Sequence, residues 1–128
     1  MLVSLLLVAG GAGCGGDEGA ETLTVNPDVQ GSPQLQLEAD PDGELAFNAE
    51  EAVGSAGNVS FVLENPSTRA HTIAVENKRG EQLGASRVAI KDSEFVIVSL
   101  EPGTYTYYCT VRGHREAGME GTLTIEPD

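Results

Sequence analysis

The sequence has few basic residues and few side chains with soft donor atoms. Only seven Lys and Arg face 20 Asp and Glu, which gives a net charge of -13 at pH 7. A surface of this sign repels phosphate groups and anionic lipid head groups, which argues against a nucleic-acid partner. The chain has no Trp and only two Cys, two His and two Met. A function that needs several soft donors must therefore bring these few together.

Long hydrophobic runs are also scarce. The run from Leu2 to about Ala12 is too short to span a bilayer but suits the apolar part of an export signal. Small residues then lead to Cys14, an arrangement that resembles a bacterial lipoprotein signal, in which the cysteine is lipidated. We expect an export signal over residues 1–13, and a flexible linker rich in Gly, acid and Pro over residues 14–33, starting at the lipidated Cys14. Cleavage without lipidation is the alternative.

The pattern changes at residue 34 to short alternating runs divided by turn residues, with almost no helical periodicity. This indicates a small all-β sandwich or barrel over residues 34–127. One looser stretch, "EEAVGSAGN", favours a helical turn. In "LEPGTY", a tight turn lies between Leu100 and Tyr105, as in the corner of many Greek-key sandwiches. The eight predicted strands are "QLQLEA", "ELAFNA", "VSFVLEN", "HTIAVEN", "SRVAI", "EFVIVSL", "TYTYYC" and "GTLTIEP".

The period of two along a strand predicts which side chains point inward. His71 shares a face with Ile73 and Val75, and Cys109 shares one with Tyr107. At least two of the soft donors should therefore point toward the core.

Three soft donors recur at five-residue steps in the segment "YYCTVRGHREAGME", residues 107–120. These are Cys109, His114 and Met119, and His71 opens a predicted strand about forty residues earlier. A thiolate, two imidazoles and a weak thioether are the donors of a type 1 copper site. Taken singly, each has another interpretation: a structural histidine, a buried or disulfide-bonded cysteine, or a methionine that fills a gap in the core.

These segments resemble the cupredoxins, the small blue copper proteins of the plastocyanin and azurin superfamily. "AGNVSFVLENPSTRAHTIAVE" is similar to their strand, loop and first histidine, and "LEPGTYTYYCTVRGHREAGMEGTLTIEP" to their terminal hairpin. The spacing from Cys109 to His114 to Met119 is similar to rusticyanin-like and sulfocyanin-like loops. The resemblance implies an eight-stranded Greek-key β-sandwich that binds one copper ion. It also implies His71, Cys109 and His114 as strong ligands, with Met119 as a long axial one.

The resemblance further implies one-electron transfer between redox partner proteins by a monomer that is not an enzyme. Thr72 stands where the family commonly has Asn, and we expect its hydroxyl to bond toward Thr110, but less rigidly than the Asn would. Three basic residues, Arg69, Arg112 and Arg115, lie within two residues of a predicted histidine ligand. They form either a collar that steers an acidic partner or a solubilising rim.

Several alternatives remain open from the sequence. Tyr108, beside Cys109, either offers a second electron route or packs across the strands. A metal-free immunoglobulin-like binding module fits the strand pattern, and a copper storage or delivery protein fits the ligands. A copper oxidase or nitrite reductase needs more histidines than the two in this chain. The expected location is the outer face of the cytoplasmic membrane or the periplasm, with the lipid at Cys14 as the membrane anchor.

Overall fold

A computed structural model describes the backbone of residues 22–24 and the whole of residues 34–127. All regular elements in these residues are β-strands, and none is a helix that could cross a membrane. The predicted export signal, Cys14 and most of the predicted linker lie outside the described residues. The strands are β1 (Thr22–Thr24), β2 (Gln34–Glu38), β3 (Glu51–Ser55), β4 (Gly57–Asn65), β5 (Ala74–Glu76), β6 (Gln82–Ala85), β7 (Asp92–Leu100), β8 (Gly103–Tyr108) and β9 (Glu120–Glu126).

The strands form two sheets packed face to face. One sheet has the order β1-β3-β9-β8-β5-β6 and the other the order β2-β4-β7. The pairs β2–β4 and β3–β9 are parallel, while β4–β7 and β8–β9 are antiparallel. Within residues 34–127 the chain crosses between the sheets after β2, β3, β4, β6 and β7, which gives the predicted Greek-key β-sandwich, with eight strands, β2–β9. The fold class is confirmed.

The core lies between the two sheets and follows the alternation read from the sequence. Val59, Phe61 and Leu63 point inward from β4, and Leu123 and Ile125 point inward from β9. Each of these side chains is removed almost fully from water, which is worth about 1.5–3 kcal/mol per side chain. The sandwich is therefore held mainly by the burial of aliphatic and aromatic side chains between the sheets.

One close approach across the pair β8–β9 needs a glycine. Gly121 lies opposite Tyr107 in the register, and a Cβ added at Gly121 would overlap the Tyr107 ring. The ring is fully buried, and its hydroxyl donates a 2.8 Å hydrogen bond to the carbonyl oxygen of Ala49. Tyr107 thus fills the space above Gly121 and joins β8 to the segment that precedes β3.

Three details differ from the sequence prediction. "ELAFNA" forms no strand and contributes only a single bridge between Phe47 and Ala39. The strand lies later, at Glu51–Ser55, where a helical turn was predicted. "SRVAI" likewise contributes only the bridge between Ala89 and His71, since β6 lies earlier, at Gln82–Ala85. The positions of these strands depend on pairing with neighbouring strands, and the local sequence says little about which segments will pair.

The predicted corner after β7 is present. The Tyr105 hydroxyl donates a 2.7 Å hydrogen bond to the carbonyl oxygen of Glu101, and Leu100 is buried beneath the turn. This corner turns the chain from β7 into β8, the strand that ends next to Cys109.

Candidate metal centre

His71 is held by backbone hydrogen bonds on the segment between β4 and β5. Its N–H donates to the carbonyl oxygen of Ala89 at 3.1 Å, and the Ala89 N–H donates to the His71 carbonyl oxygen at 2.9 Å. The buried amide of Asn65 supports this pair. The Asn65 side-chain NH2 donates to Ala89 O at 2.7 Å and to Arg69 O at 2.6 Å. The Asn65 side-chain oxygen accepts two bonds from Ser67, one from the Ser67 N–H at 3.0 Å and one from the Ser67 hydroxyl at 2.7 Å.

Asn65 is a structural residue of the site that the sequence reasoning did not single out. The signal for it is the dipeptide Asn65-Pro66 at the end of a strand, since Asn favours turns that its own side chain can bond. Its four hydrogen bonds leave no polar atom of the amide unpaired. The loop before His71 is therefore fixed by a buried side chain rather than by the strands alone.

Cys109, His114 and Met119 lie on the loop between β8 and β9, which closes on itself. The Cys109 N–H donates to Met119 O at 3.1 Å, and the Met119 N–H donates to His114 O at 3.1 Å. Gly113 and Gly118 have φ values of +80° and +117°, which side chains with a Cβ rarely adopt. These two glycines let a short loop return all three residues to one place.

The donor atoms of His71, Cys109 and His114 converge. The two Nδ1 atoms of the histidines are 3.2 Å apart, and the Cys109 Sγ lies 3.6 Å from His114 Nδ1 and 4.0 Å from His71 Nδ1. Nitrogen and sulfur ligands of a zinc ion, at about 2.0–2.3 Å, would lie roughly 3.5–3.8 Å apart in a trigonal arrangement. The triangle is close to these values, so the residues fit one ion of similar size. One thiolate with two imidazoles is the donor set that copper takes in type 1 sites.

A family model for copper binding proteins of the plastocyanin/azurin family matches residues 34–126. The chain belongs to this family. The histidine–cysteine–histidine cluster of this cupredoxin fits a single type 1 copper site.

Known proteins are similar to this cupredoxin in sequence and in fold. Plastocyanin of Prochlorothrix hollandica is 29% identical over 111 residues, which cover 84% of this chain and 83% of the plastocyanin. The solved structure of auracyanin A, a "blue" copper protein of Chloroflexus aurantiacus, matches with a TM-score of 0.65 and 22% identity, over 75% of this chain and all of that one. Rusticyanin of Thiobacillus ferrooxidans matches with a TM-score of 0.62 and 16% identity, over 82% of each chain. The predicted relationship to cupredoxins is confirmed.

Burial favours the neutral form of both histidines of this cupredoxin, which is the form that binds metals. Burial lowers the pKa of His71 to about 4, helped by the neighbouring charges of His114 and Arg69. Burial also lowers the pKa of His114, with a smaller contribution from Arg69. The His71 Nε2 is buried without a hydrogen-bond partner among the described residues. Packing and backbone bonds, rather than a hydrogen bond at Nε2, therefore orient this ring.

Thr72 connects the two ligand segments. Its N–H and hydroxyl point at the Cys109 Sγ, at 3.4 Å and 3.8 Å. The same hydroxyl oxygen accepts a 2.8 Å bond from the Thr110 N–H and lies 2.8 Å from the Thr110 hydroxyl. The structure thus brings Thr72 and Thr110 together as the sequence predicts. Groups that donate to the sulfur are among those that set the potential of such a site.

Met119 is fully buried, and its backbone is bonded to both Cys109 and His114. Its position between the loop and β9 brings the fourth predicted ligand to the same end of the sandwich. The role of its thioether as an axial ligand stays a prediction.

The three arginines of the predicted collar differ in their surroundings. Arg69 and Arg112 are exposed and make no ion pair within the described residues. Arg115 instead donates two bonds to Glu76, at 2.7 and 2.8 Å, and a third to Glu120 at 2.8 Å. The positive charge of Arg115 is already compensated by Glu76 and Glu120, so Arg115 should attract an acidic partner less strongly than Arg69 and Arg112.

Tyr108 lies under that arginine. The Arg115 guanidinium stacks on its ring at 4.2 Å, and its hydroxyl donates to Gln82 Oε1 at 2.9 Å. Burial raises the pKa of Tyr108, and Glu76 adds to the effect. Tyr108 therefore packs across the strands of this sheet, which is the packing role considered in the sequence analysis.

Proposed function

We propose that this protein carries single electrons between redox proteins through one copper ion. His71, Cys109 and His114 would hold the ion, with Met119 as a weak fourth ligand. Bound copper supplies a Cu(I)/Cu(II) couple. The observation that carries the proposal is the convergence of two imidazoles and one cysteine sulfur, all buried, within 4.0 Å of one another.

Burial of the ligands supports a carrier rather than an enzyme. His71 and Cys109 are 0% and 1% exposed, and His114 is 8% exposed. A catalytic metal site keeps an open position for substrate, and this arrangement leaves little room for one. Electrons, unlike substrates, need no path through the protein surface. His114 is the least buried of the three and is the natural point of exchange.

A visible absorption spectrum tests the proposal. After one equivalent of Cu(II) is added, we expect an intense band in the red region that ascorbate bleaches and that Cys109→Ser abolishes. A weak band unaffected by that substitution would refute the type 1 site and favour the metal-free binding module. An intense band without a reversible reduction potential would favour copper storage or delivery. Thr124→Ser, on the exposed face of β9, is a control that should leave the band unchanged.

The basic surface beside His71 supports an acidic partner protein. Residues 66–71 and 86–91 run side by side, because the Lys91 N–H donates to Ser67 O at 2.9 Å and Ala89 bonds to His71. These two segments contain none of the 20 acidic residues of the chain. They carry three exposed cations, Arg69, Arg87 and Lys91. A cationic surface at the site steers acidic partners on an otherwise acidic body.

The surface also has an apolar centre, since Val88 and Ile90 are 56% and 53% exposed. The partner would dock there, with Arg69 and Arg112 toward the histidines and Arg87 and Lys91 at the rim. Reduction of ferricyanide, a small anionic acceptor, should slow in Arg87→Glu and Lys91→Glu, most strongly at low salt. Arg79→Glu is the control, because it makes the same charge change at a residue paired with Glu81. Equal rates for Arg87→Glu and Arg79→Glu would refute this docking surface.

Export and lipid attachment at Cys14 complete the proposal. The apolar run before Cys14 and the small residues around it support both. A lipid anchor and a linker would keep the carrier near membrane-bound partners. Wild-type protein should partition into the detergent phase of a cloud-point extraction, and Cys14→Ala should stay in the aqueous phase. Equal partition of the two would refute lipidation.

A further inference from the structure

Arg115, Glu76, Tyr108 and Glu120 form one contact group, here called the Arg115 cluster. The guanidinium bonds to both carboxylate oxygens of Glu76, to Glu120 through Nε, and stacks on the Tyr108 ring. Bidentate arginine–carboxylate pairs fix geometry as well as charge, because two parallel bonds restrict rotation. The cluster therefore restricts the relative orientation of Arg115 and Glu76, which a single exposed ion pair would not do.

Each member of the cluster is close in sequence to a different predicted copper ligand. Arg115 follows His114, Tyr108 precedes Cys109, and Glu120 follows Met119. Glu76 ends β5, the strand that begins three residues after His71. The cluster thus links the loop that carries Cys109, His114 and Met119 to the strand that follows His71, at a place that no predicted ligand occupies.

The strand register explains this arrangement. Tyr108 pairs with Glu120 between β8 and β9, and Glu76 pairs with Thr106 between β5 and β8. Side chains alternate along a strand, so Tyr108 points away from the face on which Cys109 lies. The cluster covers the outer face of the sheet while the donor atoms meet on the inner side.

We propose that Arg115 is a positioning residue that holds the His114 end of the loop between β8 and β9 in place relative to the segment that carries His71. The inference rests on the proposed copper site and adds a role for a residue outside it. Without the guanidinium, the backbone pairing of β5 with β8 and the Thr72–Thr110 bonds remain, but the part of the loop that carries His114 loses its side-chain link to Glu76 on β5. His114 then varies in position relative to His71, because the Thr72–Thr110 bonds hold only the start of the loop and Arg115 is the residue that links its His114 end to β5.

Exposure separates this cluster from an ordinary surface ion pair. The side chains of Arg115 and Glu76 are 34% and 14% exposed, whereas those of Arg79 and Glu81 are 82% and 61% exposed. Exposed pairs contribute little because water and salt screen them. Arg79→Met is accordingly a matched control that removes an arginine and an ion pair far from the ligand loop in sequence.

The first test uses the protein without copper and measures amide hydrogen exchange. In Arg115→Met, the Met119 amide, which is bonded to His114 O, should exchange about tenfold faster than in the wild type. Arg115→Lys keeps the charge but not the bidentate bonds, and should give an intermediate rate. Arg79→Met should leave this amide unchanged. Equal exchange in Arg115→Met and Arg79→Met would overturn the inference.

The second test uses the copper-loaded protein and measures its electron paramagnetic resonance spectrum and reduction potential. A variable His114 position predicts a broadened or two-component spectrum and a shifted potential in Arg115→Met, with partial recovery in Arg115→Lys. A lower unfolding temperature with an unchanged spectrum and potential would make Arg115 a purely structural residue and overturn the inference. Failure of the wild type to give a red-region band would instead refute the proposed copper site, and with it this role.

Discussion

Replacement of Thr72 by valine isolates one hydroxyl beside the predicted copper ligands. Valine has nearly the same shape as threonine, so Thr72→Val changes the hydrogen bonds and little of the packing. The Thr72 hydroxyl oxygen accepts the Thr110 N–H at 2.8 Å, and the hydroxyl lies 3.8 Å from the Cys109 Sγ. The substitution thus removes one strong bond between the ligand segments and one weak bond to the sulfur.

The two bonds predict effects of different size. Loss of an acceptor for the partly buried Thr110 N–H should cost about 1–2 kcal/mol of unfolding free energy. For a domain of this size, that lowers the unfolding temperature by roughly 4–12 °C. The long bond to Sγ is worth about 0.5 kcal/mol, and a one-electron couple converts about 1.4 kcal/mol to 59 mV. Because a donor stabilises the more negatively charged reduced site, its loss should lower the potential by about 20 mV.

Thermal unfolding of the copper-free protein and voltammetry of the copper-loaded protein measure the two effects separately. Thr110→Val is the matched control, because it keeps the Thr110 N–H and the Thr72 hydroxyl and should cost less in both assays. An unchanged unfolding temperature in Thr72→Val would refute the bond to Thr110 as a link between the segments. A potential that rises would refute the hydroxyl as a donor to the sulfur.

Three further predictions concern other residues of the fold and site. Gly121→Ala should cost at least about 1–3 kcal/mol in chemical denaturation, since the new methyl overlaps the buried Tyr107 ring, whereas Thr124→Ala on the exposed face of β9 should cost much less. Asn65→Leu should lower the free energy of unfolding by about 2–3 kcal/mol, because the buried polar groups that bond to Asn65 lose their partner. A smaller decrease than that of an exposed substitution would contradict the role of Asn65. The free energy of unfolding of the copper-free protein should fall by up to roughly 3 kcal/mol as the pH falls from 6.5 to about 4, because His71 takes up a proton in the unfolded chain but not in the folded one. An equal decrease in His71→Gln would contradict this explanation.

Features with a local or periodic cause could be predicted from the sequence. The alternation in "VSFVLEN" places Val59, Phe61 and Leu63 in the core, because a strand with one buried face needs that pattern. The ligand loop was identified because soft donors are rare in this chain and three of them recur within eleven residues. The corner at Tyr105 followed from a turn dipeptide with fixed neighbours.

Features that depend on distant partners could not be predicted. β3 contains Ala52 and Gly54, which have low strand propensity, and becomes a strand because it pairs with β9 on one side and β1 on the other. The prediction that Arg115 can bind an acidic partner is based on its position next to His114 in the sequence. Its partner Glu76 is 39 residues away, and only the register of β5 and β8 brings the two together.

The supports of the site lie outside the triangle of donor atoms. Asn65 and Ala89 fix the backbone of His71, the loop between β8 and β9 bonds Cys109 to Met119 and Met119 to His114, and Thr72 connects the two segments. Apart from the bonds of Thr72 to the Cys109 Sγ, none of these uses a lone pair of the donor atoms, so none of them has to break when an ion is bound or changes its charge. A type 1 site transfers electrons well when its geometry changes little between Cu(I) and Cu(II). In this chain that property would come from groups that never touch the metal, and substitutions among them should alter rates and potentials while the ligands stay the same.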